Sequence, residues 1–339
     1  MCVRVTDMRK VDLARWRFDF DLTVAAILAE ADGFVWHRYG GRSTGDPQSA
    51  LSLQSLAMAM RGTLAERAER KALPRPMEDL RPRTIEDLPL FQRRDAEERA
   101  DCVHCHMIHD FEYHEALAAG SFRREQIFIY PDPLRVGLEI DRDDQQKIES
   151  VTPDSPSARA GLEPDDRLVG ANGQAVLTRA DLQWVLHHLP FTECKLSVEI
   201  ERDGAKLTKV LALAEGWRVA SALEYAWRPY KWNLPPQPGF GGGTLKEDRK
   251  KALGLQRGDF AVEIGYIVNW GDHSRFGRNA EKAGLRKGDV LLSAGGRSDF
   301  ASEEHFQAWF RLEQTIGKSC ELIVLRDGKR QTLQLPVIE

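Results

Sequence analysis

A twelve-residue stretch of this chain occurs twice, and that duplication constrains the fold more than any other feature. Ser157-Ala158-Arg159-Ala160-Gly161-Leu162-Glu163-Pro164-Asp165-Asp166-Arg167-Leu168 returns as Ala280-Glu281-Lys282-Ala283-Gly284-Leu285-Arg286-Lys287-Gly288-Asp289-Val290-Leu291, an offset of 123. Arg202-Asp203-Gly204 returns as Arg326-Asp327-Gly328 at an offset of 124. Two markers at nearly one spacing mean two copies of one module.

Each copy reads in the same order: a strand, a short helix ending in Ala-Gly-Leu, an apolar strand, an amphipathic helix, then a hairpin closed by Asp-Gly. In the first copy Thr178 and Asp181 form a capping box for a helix whose apolar stripe is Leu182, Val185, Leu186 and Leu189. The strand over 196–200 alternates and turns at Asp203-Gly204, a type I′ signal. In the second copy Ser302 opens a helix carrying Phe306, Trp309 and Phe310, and Leu322-Ile323-Val324-Leu325 leads into Asp327-Gly328.

Between the copies, residues 227–243 hold Pro229, Pro235, Pro236 and Pro238 and then Gly239 and Gly241, Gly242 and Gly243, the composition of an irregular linker. Thr244 and Glu247 are spaced as a capping box for a helix through Ala252. Trp217, Trp227 and Trp232 are read as packing the linker onto a neighbouring domain. At the other end, residues 1–72 form a different unit: strands over 2–5 and 23–28, a turn at Asp32-Gly33, and a return strand over 34–39. A helix follows with Leu53, Leu56, Ala57, Met60 and Leu64 on its expected inner face. Residues 73–100 mix Pro74, Pro76, Pro82 and Pro89 with dense alternating charge, as a solvated connector does.

Composition excludes some functions. With 48 Lys plus Arg against 52 Asp plus Glu, the net charge is -4, so no general pull toward nucleic acid exists. No apolar run reaches the roughly 18 residues of a membrane span, and residues 1–10 lack the apolar core of a secretory signal. Five cysteines, with only Cys102 and Cys105 close in sequence, do not make a disulfide framework.

The Ala-Gly-Leu-x-x-x-Asp-x-Leu core, the turns Ala171-Asn172-Gly173 and Ala294-Gly295-Gly296, and the Asp-Gly hairpins resemble PDZ domains of the circularly permuted type found in bacterial proteases. The resemblance implies a backbone loop that receives a partner's C-terminal carboxylate, beside which the partner adds a strand. Arg135-Val136-Gly137-Leu138 matches that loop, glycine being needed because N–H groups must converge in a tight turn. Val136, Gly137 and Leu138 are then the carboxylate donors, with Arg135 beside them and Leu182 and Leu186 on the helix that walls the groove. The second copy shows no comparable loop over 260–268, and is read as a degenerate PDZ-like domain.

The N-terminal unit, with Phe20-Asp21-Leu22-Thr23 before its hairpin, is similar to the second half of a thioredoxin fold. It departs in having no first half and in carrying Leu22 where those proteins place a cis-proline. Taken together, the chain resembles the bacterial family of thioredoxin-like and PDZ-containing proteins, some of them selenoproteins. Cys2 beginning an interior strand then implies a truncated start, with a periplasmic or other extracytoplasmic location in that case; the given chain alone leaves the compartment open.

Chemistry concentrates at Asp101-Cys102-Val103-His104-Cys105-His106-Met107-Ile108-His109-Asp110 and His114, where four of nine histidines fall within eleven residues. Cys102-x-x-Cys105-His106 fits the attachment signature of haem c, with two thiols for the vinyl groups and His106 as proximal ligand. If residues 101–119 are helical, Cys102, Cys105, His106 and His109 share one side, a spacing that also suits zinc, with His106 and His109 as metal ligands. A redox dithiol is the third reading. His187-His188 reads as a solvated pair at a helix end, and Cys194 and Cys320 as small apolar residues. No Gly-x-Ser-x-Gly, phosphate loop or His-Glu-x-x-His occurs.

The expected architecture is multidomain α+β: a partial thioredoxin-like unit over 1–72, a connector with a Cys/His helix over 73–126, a PDZ domain over 127–215, a linker over 216–250 and a PDZ-like domain over 251–339. The expected function is binding of protein C-termini or extended peptides, associated with a thiol or haem site. The alternative is an electron-transfer or thiol-redox protein whose PDZ domains deliver partners. Catalysis is not expected of the chain, unless Cys102 and Cys105 make it a thiol-disulfide or electron-transfer oxidoreductase.

Overall fold

Asp32 and Gly33 make the first turn: the Asp32 carboxylate accepts the Phe34 N–H at 3.0 Å, and Gly33 takes φ +93°. They join β1 (Ala25–Ala29) to β2 (Val35–Gly40) as an antiparallel pair, followed by α1 (Leu53–Arg70). In the computed structural model, residues 1–19, 22, 24–41, 50–70, 81–94, 102–218 and 235–339 are described. Phe20, Asp21, Thr23, Pro74, Pro76, Asp101, Trp227, Pro229 and Trp232 lie outside them.

Helix α1 reverses its expected face. Leu53, Met60 and Leu64 are exposed, whereas Ser55, Ala59 and Thr63 are buried. Small residues are needed inside because the helix approaches closely: a Cβ on Gly62 would stand 2.8 Å from Leu177, and the Tyr39 hydroxyl lies 2.9 Å from Ser55 Oγ. The strand expected over 2–5 does not form; these residues are exposed and pair with no strand among the described residues.

The connector is not uniformly solvated. Ile85, Leu88 and Phe91, the last in the short helix α2 (Pro89–Gln92), form a core with Leu13, Val103 and Ile108. Met8 N–H bonds Val103 O at 2.9 Å and Leu13 N–H bonds Arg83 O, so the N-terminal segment is stitched to it. The Cys/His helix α3 spans Cys105–Ala118, shorter than expected at its start, and ends at Gly120 in the left-handed region.

The first repeat copy follows the expected order: β3 (Leu138–Ile140) pairs β4 (Ile148–Val151), then come α4 (Pro156–Arg159), β5 (Arg167–Ala171), β6 (Gln174–Ala175), α5 (Arg179–His188), β7 (Cys194–Arg202) and β8 (Ala205–Leu213). The larger sheet runs β6-β5-β7-β8. Asp203 and Gly204, φ +52° and +78°, make the expected hairpin. Leu182, Val185 and Leu186 of α5 and Leu189 just after it join Leu196, Val198, Ile200, Val136 and Leu138 in one core. Trp217 packs on that core and donates to Pro190 O at 3.1 Å.

Met1–Val219 forms one compact unit and Ala220–Glu339 another. The second holds β9 (Phe240–Thr244), α6 (Glu247–Ala252), β10 (Val262–Ile267), α7 (Ser274–Lys282), β11 (Val290–Ala294), α8 (Glu303–Glu313), β12 (Ser319–Arg326) and β13 (Lys329–Pro336), with sheet order β13-β12-β11-β10-β9. Phe306, Trp309 and Phe310 fill its core with Phe240, Phe260 and Phe300. Gly241, Gly242 and Gly243, expected as linker, are therefore strand. Close packing explains their identity, since a Cβ on Gly242 would lie 1.8 Å from Glu263 O and one on Gly241 would meet the Tyr266 ring.

Candidate functional site: a glycine turn, a strand edge and a helix

Asp132 opens the loop that the sequence singles out. Its Oδ1 accepts the Leu134 N–H at 2.9 Å and caps a 3-10 turn over Pro133–Val136, which ends at Gly137 with φ +88°. Gly137 is buried, its own N–H goes to Leu134 O at 3.0 Å, and a Cβ there would strike Ser155 at 2.1 Å. Of the three expected carboxylate donors, Gly137 is thus already engaged inside the loop.

Directly after it, β3 pairs with β4 on one side; among the described residues no strand lies on its other edge. Thr152 N–H bonds Gly137 O at 2.9 Å and Asp141 N–H bonds Lys147 O. Strand alternation therefore turns the backbone groups of Leu138 and Ile140 away from β4. Val136, Leu138, Leu182 and Leu186 come together as expected, but as one wholly buried core with nothing of an open apolar groove. Arg135 is half-buried beside the turn.

Polar residues that the sequence reading passed over lie on another stripe of α5. Arg179, Gln183 and His187 follow one another at four-residue spacing, so they share a face. Arg179 pairs with the Asp132 carboxylate, Gln183 Nε2 donates to Tyr130 O at 3.1 Å, and the Tyr130 N–H donates to His187 Nδ1 at 3.3 Å. His187 also stacks on the Tyr130 ring at 4.0 Å, and burial brings its imidazole down to about 3. It is no solvated partner of His188. Four-residue polar spacing beside the Leu182 stripe was the available signal, and it recurs in the second copy as Glu303, Gln307 and Arg311 at an offset of 124.

The outer end of α5 is held by the N-terminal hairpin. Asp181 accepts the Arg38 N–H at 2.9 Å and bonds His37 Nδ1 at 2.9 Å, while Glu66 bonds His37 Nε2 at 2.6 Å. Burial works against charge on His37, but hydrogen bonds to Asp181 and Glu66 raise it to about 9. The Arg38 guanidinium lies 3.5 Å over the Trp184 ring.

In the second unit the turn equivalent to Gly137 is Gly239, φ +82°, placed 102 residues on. Val268 N–H bonds Gly239 O at 2.9 Å, matching the Thr152 bond to Gly137 O, and β9 takes the place of β3. The turn stands ahead of the expected 260–268 because the β9–β10 connection holds the added helix α6. Here the edge of β9 is occupied: Gln307 Nε2 donates to Phe240 O at 2.7 Å, and the Glu303 carboxylate accepts the Gly242 N–H.

At the Cys/His helix, Cys102 is exposed and precedes α3, and Cys105, half-buried, is its first residue. Cys105 packs against the Leu13, Ile85 and Ile108 core. Cys105 and His109, four apart in α3, share a face as expected, but Cys102 lies before the helix, and the His109 ring is engaged by Glu112 at 3.6 Å and Asp19 at 3.9 Å. Although burial pushes the Glu112 carboxyl up, His109, Arg17 and Arg83 bring it down to about 2. Among the described residues no three of His, Cys, Asp and Glu gather as metal ligands; Asp101 and the His106 side chain are outside that description. Among the same residues no helix is long and apolar enough to cross a membrane.

Residues 136–213 match the family model described as PDZ domain. A curated relative, the probable periplasmic serine endoprotease DegP-like of Marinomonas sp. (strain MWYL1), is 24% identical over 203 residues, 58% of this chain and 38% of that protein. The chain thus spans under two fifths of the length of that relative. A solved structure, the serine endoprotease from Yersinia pestis, covers 24% of this chain and 28% of its own at 21% identity, with a TM-score of 0.20.

Proposed function

We propose that the PDZ domain binds protein C-termini or extended segments, which add as a strand to the free edge of β3 in front of Gly137. The observation that carries this reading is the left-handed Gly137 turn set immediately before a strand that, among the described residues, has no strand on its other side. Added main-chain hydrogen bonds supply affinity, and side chains of α5 supply selection. The test is binding of fluorescent C-terminal heptapeptides to the full chain, each with a free or an amidated terminus. Tighter binding of free-acid peptides supports capture of a chain end; indifference to the terminus leaves strand addition without a carboxylate site.

The Gly239 turn and β9 support reading the second unit as a PDZ-like module whose edge is already occupied. The order β1, β2, α1 supports the partial thioredoxin-like reading of the N-terminal unit. The relative's printed description as periplasmic supports an extracytoplasmic location for this chain as well.

A second reading rests on Cys102 and Cys105. One thiol is exposed and the other begins a helix, the end that favours an anion, so a dithiol reacting with partner disulfides fits these positions. Haem c, bonded through both thiols with His106 as ligand, and zinc on the same residues are the cofactor alternatives. His109, engaged by Asp19 and Glu112, is the weaker metal ligand.

A further inference from the structure

The two repeat copies use the same helix positions for different work. Arg179 and Glu303 are each the first residue of their helix, after Thr178 and Ser302, and Gln183 and Gln307 each come four later. In the second unit Glu303 and Gln307 bond the outward groups of β9, namely Gly242 N–H and Phe240 O. By that correspondence Arg179 and Gln183 face the outer edge of β3, where a captured strand would lie. They instead hold the segment 130–132: Arg179 the Asp132 carboxylate, Gln183 the Tyr130 carbonyl, with His187 accepting the Tyr130 N–H.

That arrangement has the marks of an occupied site. An acid and a backbone N–H and C=O are recognised by three side chains on one helix face, which is how an extended acidic peptide would be held. Tyr130 takes φ +45°, a strained value for a residue with a side chain, so the surroundings impose its conformation. Arg179 Nε and Gln183 Oε1 remain buried without hydrogen-bond partners among the described residues, capacity that a longer strand could use.

We propose that the segment 130–132 is an internal latch on the recognition face of α5, and that the PDZ domain opens when an outside chain end bearing a carboxylate displaces it. This rests on the peptide-capture reading and adds how that site is regulated and which ligand chemistry it selects: an extended, acidic peptide. The completely buried Leu138, Leu182 and Leu186 are the state expected with the latch down.

The test uses the full chain and a fluorescent heptapeptide copying residues 126–132, ending in a free Asp carboxylate. Asp132→Asn keeps an oxygen to cap Leu134 but weakens the hold of Arg179. It should bind the peptide at least tenfold more tightly than the unmodified protein, and its Tyr130 amide should exchange at least tenfold faster. Arg179→Gln should speed the same exchange without tightening binding, because the cation that reads the ligand acid is gone; it also decides the question if Asp132→Asn does not fold. Unchanged exchange in both variants, with equal peptide affinity, overturns the latch while leaving capture standing if both bind. Faster exchange without binding by any of the proteins supports the latch and overturns capture.

Discussion

Arg326 grips both oxygens of Asp289, Nε to Oδ1 at 2.6 Å and Nη2 to Oδ2 at 2.7 Å, and the same Nη2 reaches Gly284 O at 2.7 Å. Arg202 does the same with Asp166 at 2.6 and 2.8 Å and with Gly161 O at 2.9 Å. The two sequence markers of the repeat are thus the two ends of one clamp, tying the Ala-Gly-Leu turn to the Asp-Gly hairpin. Because Asp289 is only 2% exposed, Asp289→Asn leaves a guanidinium without its counter-charge and should cost about 2 kcal/mol in the second unit. Urea unfolding measures this; a loss near zero would mean that packing alone holds the turn.

Gly137→Ala meets two obstacles at once, the positive φ and Ser155 at 2.1 Å. The substitution should destabilise the first unit by about 2–4 kcal/mol and weaken peptide capture even where the protein remains folded. Ser155→Gly removes the struck atoms, so the double variant should recover part of the stability while retaining the backbone strain. A double variant no more stable than Gly137→Ala would remove Ser155 as the cause. Unchanged peptide binding by folded Gly137→Val would remove the carboxylate-loop assignment.

His37 gives the first unit a pH dependence on the alkaline side. Its folded value of about 9 lies above the ordinary 6.5, so its stabilisation is complete below pH 6.5 and is lost as pH rises toward 9. The difference corresponds to about 3 kcal/mol. Melting temperature of the full chain should fall between pH 6.5 and 9, and His37→Phe should flatten that slope. A slope unchanged in the variant would assign it to other groups.

How much the sequence revealed depended on how local each signal was. The Thr178–Asp181 capping box, the Asp203-Gly204 and Asp327-Gly328 turns and the Leu182, Val185, Leu186 stripe were legible because neighbouring residues determine them. The inner face of α1 was not, since tertiary proximity to Tyr39 and Leu177 favours Ser55, Ala59 and Gly62 over the leucines. Strand β9 was hidden for the same reason: glycine looks like linker until Glu263 and Tyr266 are seen against it. The Gly137 turn was legible, whereas its buried surroundings and the hold of Arg179 on Asp132, 47 residues apart in sequence, were not.

Cys102 and Cys105 offer the last prediction, one that separates the binding reading from the redox one. A dithiol that exchanges with partners should oxidise to a disulfide with a midpoint between about -270 and -120 mV, the span of exchange-active thiols. Alkylation and mass measurement at fixed redox poise will read it: both residues should lose reactivity together, and Cys102→Ser should abolish the transition at Cys105. Thiols that stay independently alkylatable throughout would exclude the dithiol. An absorption spectrum of protein made in a host that attaches haem c tests the cofactor alternative, since a Soret band surviving denaturation marks thioether bonds at these positions. If neither the disulfide nor the band forms, while free-acid peptides still bind, Cys105 is a packing residue beside Leu13 and Ile108 and the PDZ domain carries the function.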